Sequence, residues 1–184
     1  MDPRSLRTRR ALQQAALDLA IERALDEITV GDIAERAGVN RSSFYQHYSD
    51  KETLLADALD AIVEAAGASI EVSIEPTEEP PAGLVGYLEH VDGHAALYRW
   101  ALGSHGSPVV TGRLWDRVEA LVRHHVALAG GASPFDGIPE DVVAAGVAGS
   151  ALGVVRVWLE TEPRADVRTA AEWIWRMLLR PGRA

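Results

Sequence analysis

Residues 29–55 read TVGDIAERAGVNRSSFYQHYSDKETLL, and the punctuation of this stretch decides the fold. Thr29 and Asp32 have the spacing of a capping box, in which each side chain satisfies a free backbone N–H of the other residue. Val30, Ile33, Ala34 and Ala37 then recur at helical period, so a short amphipathic helix starts here. Gly38 ends it, because glycine takes the left-handed conformation that closes a helix, and Asn40 is a strong cap for the next one. A third helix is expected over about Arg41 to His47. Ser49 and Glu52 repeat the capping-box spacing and open a longer helix with Leu54, Leu55, Ala58, Leu59 and Ile62 on its apolar side. Two short helices joined by a tight turn make a helix-turn-helix, whose second helix can lie in the major groove of DNA.

The residue types on that second helix suit the task. Arg41 stands at its start, where a guanidinium can pair with guanine O6 and N7 or hold a phosphate. Ser42 and Ser43 are short enough for close approach. Tyr45 and His47 offer an O–H and an N–H to phosphates, Lys51 adds a charge at the next helix start, and Phe44 and Tyr48 read as core anchors.

Upstream, Leu12, Ala15, Ala16, Leu19 and Ala20 place one apolar stripe on a first helix over residues 5–23. The basic arm Arg4–Arg10 reads as a solvated tail or as a minor-groove arm. Downstream, residues 71–82 are acidic and proline-rich, hence a loop, and further breaks fall at 103–108, 130–139 and 161–165. Helices are expected at about 82–91, 94–102, 108–128, 139–160 and 166–179, with no period-two strand. The fold class is all-α, with a helix-turn-helix domain at 1–52 and a second helical domain at 53–184.

Composition narrows the function. The 184 residues are 47% hydrophobic and 24% charged, the balance of a globular protein with a core, and contain no cysteine, which excludes disulfides and thiolate chemistry. Neither a signal peptide nor an apolar run near the ~20 residues of a bilayer span is legible, so a cytoplasmic protein with no membrane partner is expected. Net charge is −9; residues 1–52 carry only −1 of it and 53–184 carry −8, which keeps the acidity away from the helix-turn-helix. No catalytic constellation, phosphate loop or metal spacing stands out, so neither an enzyme nor a cofactor is expected. His124 and His125 are adjacent, and neighbours on a helix point about 100° apart, so they do not form a chelating pair.

The run from about Arg7 to Leu55 resembles the signature of the TetR family of bacterial repressors. The resemblance implies that Tyr45, His47 and Lys51 contact operator phosphates and that Thr29, Arg41, Ser42 and Ser43 face DNA. One departure is Ala24, where the family often has glycine. The resemblance further implies about nine helices, a carboxy-terminal domain binding a small-molecule effector, and a homodimer formed by the last two helices. Small residues in 142–157, including Ala145 and Gly149 beside Leu152, facing Val167, Ile174, Trp175 and Leu178, suit that interface; ordinary intrachain packing is the alternative. Tyr98, Trp100, Trp115, His125 and Trp158 are candidate effector contacts, with core packing as the competing reading. The function expected is a repressor that binds a palindromic operator in double-stranded DNA as a dimer and is released by an effector. A small-molecule-binding protein of the same fold without operator function is the alternative.

Overall fold

The computed structural model describes residues 3–67, 79–104, 106–129, 135 and 137–179, which form nine α-helices and one turn of 3-10 helix. The expected loop at 71–78, most of the break at 130–136 and His105 lie outside the described residues. Helix α1 (Pro3–Glu22) buries Leu12, Ala15, Ala16, Leu19 and Ala20, the stripe that its periodicity specifies. The 3-10 turn Leu25–Glu27 follows. Ala24, before it, has φ −59° and ψ 136°; this extended conformation suits any L-residue, so no glycine is required at the departure from the family pattern.

Helices α2 (Val30–Arg36) and α3 (Arg41–Tyr45) form the helix-turn-helix, with Gly38 between them at φ 67°, where a Cβ would strain the backbone. Helix α4 (Lys51–Gly67) starts one residue later than a Ser49 cap would set it. Asp50 is the cap: its Oδ1 accepts from the Thr53 N–H at 2.7 Å, and the Ser49 hydroxyl donates to the other Asp50 oxygen. A carboxylate is the stronger acceptor for a helix N-terminus, so it displaces the serine–glutamate pair.

The remaining helices are α5 (Ala82–Gly93), α6 (Ala95–Leu102), α7 (Pro108–Ala129), α8 (Glu140–Glu160) and α9 (Val167–Leu179). α4 lies along α7, α7 along α8, α8 against α9, and α9 returns to α5. A single apolar core extends from Leu12 through Phe44, Leu55, Leu88 and Leu114 to Ile174. A boundary between 52 and 53 therefore falls inside the first turn of α4, and the helix crosses it unbroken.

Helix α8 is more apolar than its place in a core requires. Its 21 residues are long and apolar enough, by length and composition, to cross a membrane. Val143, Ala144, Ala148, Leu152, Val155, Trp158 and Leu159 are buried within the chain. A helix apolar on all sides needs cover on both faces, and the other face of α8 is open: Val142 and Val157 are more than half exposed, with Ala145, Gly146 and Gly153 between them. On α9 the exposed large apolar side chains are Trp173 and Met177.

The residues expected at an interface divide between the inward and outward faces. Leu152, Ile174 and Trp175 are buried by their own chain, because their helical phase groups them with Ala148, Val155, Ala170 and Ala171 on the inward faces. Leu178 and Val167 are half-buried against the same core. Of the expected positions, Ala145 is exposed and Gly149 lies against the ring of Trp115, 3.5 Å from where its Cβ would stand.

Candidate nucleic-acid interface

The recognition helix is held from below and from its start. Phe44 and Tyr48 are buried, Phe44 with its ring edge-on to Tyr45, so the helix cannot roll without exposing both aromatics. At the N-terminus, Asn40 Oδ1 accepts three bonds: from the Ser43 N–H at 2.7 Å, the Ser42 hydroxyl at 2.6 Å and the Ser43 hydroxyl at 2.9 Å. Each of the two serines expected to face DNA is thus oriented by the cap. Arg41 is exposed and donates to the Tyr45 hydroxyl at 3.3 Å, its guanidinium 5.8 Å from the centre of that ring. Tyr45 is half exposed. Arg41, Ser42 and Tyr45 therefore line the outer side of α3.

Helix α2 is fixed as firmly. Thr29 Oγ1 accepts from the Asp32 N–H, and Asp32 accepts from the Thr29 N–H at 2.8 Å, completing the capping box that the spacing specifies. The Thr29 backbone and hydroxyl bonds, joined by Arg23 at 3.0 Å, hold the Asp32 carboxyl down to about 2. Arg36 clasps Glu22 of α1 with two bonds, at 2.8 and 2.7 Å.

Lys51 sits differently from a free phosphate ligand. Its ammonium donates to the carbonyl oxygens of Leu25 at 2.8 Å and Ile28 at 3.0 Å, closing the end of the 3-10 turn. Two of its three N–H donors are engaged, and one remains for a phosphate. His47 is half-buried beside Tyr48.

A polar knot that no sequence motif announced fastens this unit to the rest. Asp57 Oδ2 accepts from Arg9 at 2.5 Å, Gln13 at 2.8 Å and Tyr48 at 2.6 Å. Burial pushes the Asp57 carboxyl up, but the Tyr48 and Arg9 bonds outweigh it and hold it below the usual carboxylate range. The Tyr48 hydroxyl is pushed up to about 12 by burial and by Asp57. One turn on, Arg113 of α7 pairs with Asp60 and Arg117 with Glu64.

The candidate effector contacts scatter. Tyr98 is fully buried, with no hydrogen-bond partner for its hydroxyl, as are the Tyr87 hydroxyl and His90 Nε2 nearby. Trp158 is buried and donates to the Ala165 carbonyl at 2.8 Å. Trp100 donates to Asp26 at 2.8 Å, tying α6 to the 3-10 turn. Trp115 packs on Gly149 at the outer side of α7. These four serve packing and anchoring; indole N–H groups seek acceptors wherever the fold offers one. His125 alone of the five lines the largely apolar cavity between α5, α7, α8 and α9, whose wall also includes Leu84, Tyr87, Val122, Ile174 and Trp175. Its Nδ1 bonds the Leu121 carbonyl at 2.7 Å.

The helix-turn-helix, with its exposed and doubly anchored second helix, is continuous with a helical bundle that flanks an apolar cavity, and the described residues form an all-α fold. Residues 12–58 match the family described as bacterial regulatory proteins, tetR family. YxbF, an HTH-type transcriptional regulator of Bacillus subtilis, is 34% identical over 100 residues, half of this chain and 26% of YxbF. EthR of Mycobacterium tuberculosis, also an HTH-type transcriptional regulator, is 28% identical over 128 residues, 62% of this chain and 59% of EthR. FadR of Thermus thermophilus, a repressor solved with lauroyl-CoA, shares the fold with a TM-score of 0.70 at 19% identity, over 96% of this chain and 95% of that one. The likeness to the tetR family is carried by residues 12–58, and the chain spans less than two thirds of the length of these curated relatives.

Proposed function

We propose that the protein is a transcriptional repressor that binds a palindromic operator as a homodimer and is released by a small-molecule effector. The observation that carries the reading is α3 itself: its apolar side is locked by Phe44 and Tyr48, while Arg41, Ser42 and Tyr45 are held outward by Asn40 and by one another. Arg41 serves as the base or phosphate contact, Ser42, Ser43 and Thr29 as close-approach positions, and Tyr45, His47 and the remaining donor of Lys51 as phosphate ligands. The open faces of α8 and α9, with Val142, Ala145, Val157, Trp173 and Met177, supply the dimer surface, and closing them against a second copy covers the apolar side that α8 leaves bare.

The effector site is the cavity bounded by α7. The lauroyl-CoA complex of FadR supports a ligand site in this fold. A ligand that favours a spacing of the two recognition helices other than about 34 Å lowers operator affinity, and reciprocity requires it to bind the DNA complex less tightly than the free protein. The test is selection of bound sites from random duplex DNA with the purified protein, followed by titration of the winner over a range of salt. An enriched inverted repeat whose affinity falls steeply with salt is the expected result. A folded dimer that enriches no sequence would overturn operator binding.

A further inference from the structure

The cavity between α5, α7, α8 and α9 is specific in size and chemistry. It is partly open and measures about 150 Å³, and the surface that its described lining residues expose is apolar. An engineered protein cavity of ~150 Å³ lined by aliphatic and aromatic side chains stays dry and binds benzene. Among the described lining residues there is no arginine, lysine, aspartate or glutamate. The arginines of α7 are spent elsewhere: Arg113 and Arg117 reach α4, and Arg123 pairs with Glu119 and Asp141. Of the titratable side chains in the described wall, Tyr87 stays neutral, pushed up to about 12 by burial, and His125 turns its Nδ1 to the Leu121 carbonyl at 2.7 Å. A carboxylate, phosphate or ammonium placed here would lose its hydration and meet no arginine, lysine, aspartate or glutamate among the described lining residues.

We propose that this cavity takes a compact, uncharged hydrocarbon ligand, a single aromatic ring or a short branched alkyl group, and excludes charged amphiphiles and long acyl chains. The inference rests on the effector reading above and names the class of molecule that reading requires. Leu84, Val118, Val122, Ala151, Ile174 and Trp175 give such a ligand dispersion contacts from four helices at once.

Binding is measured first without DNA, by thermal unfolding and calorimetry of the intact dimer with toluene, benzoate and decanoate. Toluene at ten times its dissociation constant should raise Tm by about 3–6 °C, and benzoate and decanoate at the same concentrations should not. Ala151→Leu, which fills the cavity from α8, should weaken toluene binding at least about tenfold while leaving the unliganded protein folded. A ring-size series on the wild-type chain gives the same answer without mutation: benzene and toluene bind, anthracene does not. Tighter binding of benzoate or decanoate than of toluene, or no binding by any hydrocarbon, would overturn the proposal. Toluene binding that leaves operator affinity unchanged would uphold the ligand class and overturn release by this site.

Discussion

Lys51, the chain's single lysine, carries two tasks that a family motif compresses into one. Its place in the Tyr-x-His-aromatic run marks it for phosphate, yet its ammonium also holds the Leu25 and Ile28 carbonyls. A hydrogen bond to a charged group contributes about 1.5–3 kcal/mol, and carbonyls left bare are costly to bury. Lys51→Ala should therefore lower the urea unfolding free energy by about 2 kcal/mol with no DNA present; an unchanged midpoint would show the staple to be idle. His90 offers a second test. Burial first, then His94, depresses its pKa to about 4, against an ordinary 6.5. Between these values the unfolded chain binds the proton and the folded one does not, so stability is complete above pH 6.5 and declines as pH falls toward 4. Wild type should lose about 1 kcal/mol from this group between pH 7.5 and 5, allowing for its partial exposure; His90→Phe should flatten that part of the profile, and an equal slope in both proteins would refute the assignment. Neither role was legible beforehand, since both depend on atoms that meet only after folding.

At the scale of elements the sequence was far more informative, because helix starts, stops and stripes are local. The capping box at Thr29, the glycine at 38 and the cap at Asn40 each stand where their spacing placed them. The α8–α9 pair shows where local reading stops. Alanines and glycines on α8 announce close approach to something, but a helix apolar all round does not disclose which side meets its own chain. Leu152, Ile174 and Trp175 went inward, and the aromatics expected at a ligand site went mostly to the core or to anchoring contacts, because side-chain size signals burial without naming the partner. The exposed set makes a direct prediction. Val157→Glu with Met177→Glu places charges on the two open faces without touching the core. If the proposed dimer closes through these faces, wild type should sediment as a dimer and the double variant as a monomer, the dissociation constant rising at least about tenfold; a dimer of undiminished affinity would move the interface elsewhere.

Across the whole molecule, the two halves are joined by α4, whose first turns pack under the helix-turn-helix and whose later turns are paired to α7. α7 is also a wall of the cavity. A ligand that shifts α7 therefore acts on α4 through Arg113–Asp60 and Arg117–Glu64 as well as through apolar packing. Each ion pair is partly exposed and contributes little to stability on its own. Their value lies in registering two helices that could otherwise slide past one another on a smooth apolar seam. If so, R113A/R117A should leave both operator binding in the absence of ligand and toluene binding in the absence of DNA within about twofold of wild type. The ratio of operator affinities without and with ligand should change much more. Allosteric couplings commonly amount to about 5–150-fold, and the double variant should bring the ratio below about threefold. Retention of the full ratio would mean that apolar contacts between α4 and α7 transmit the movement alone; loss of operator binding itself would mean that the pairs position the recognition helices even in the unliganded dimer.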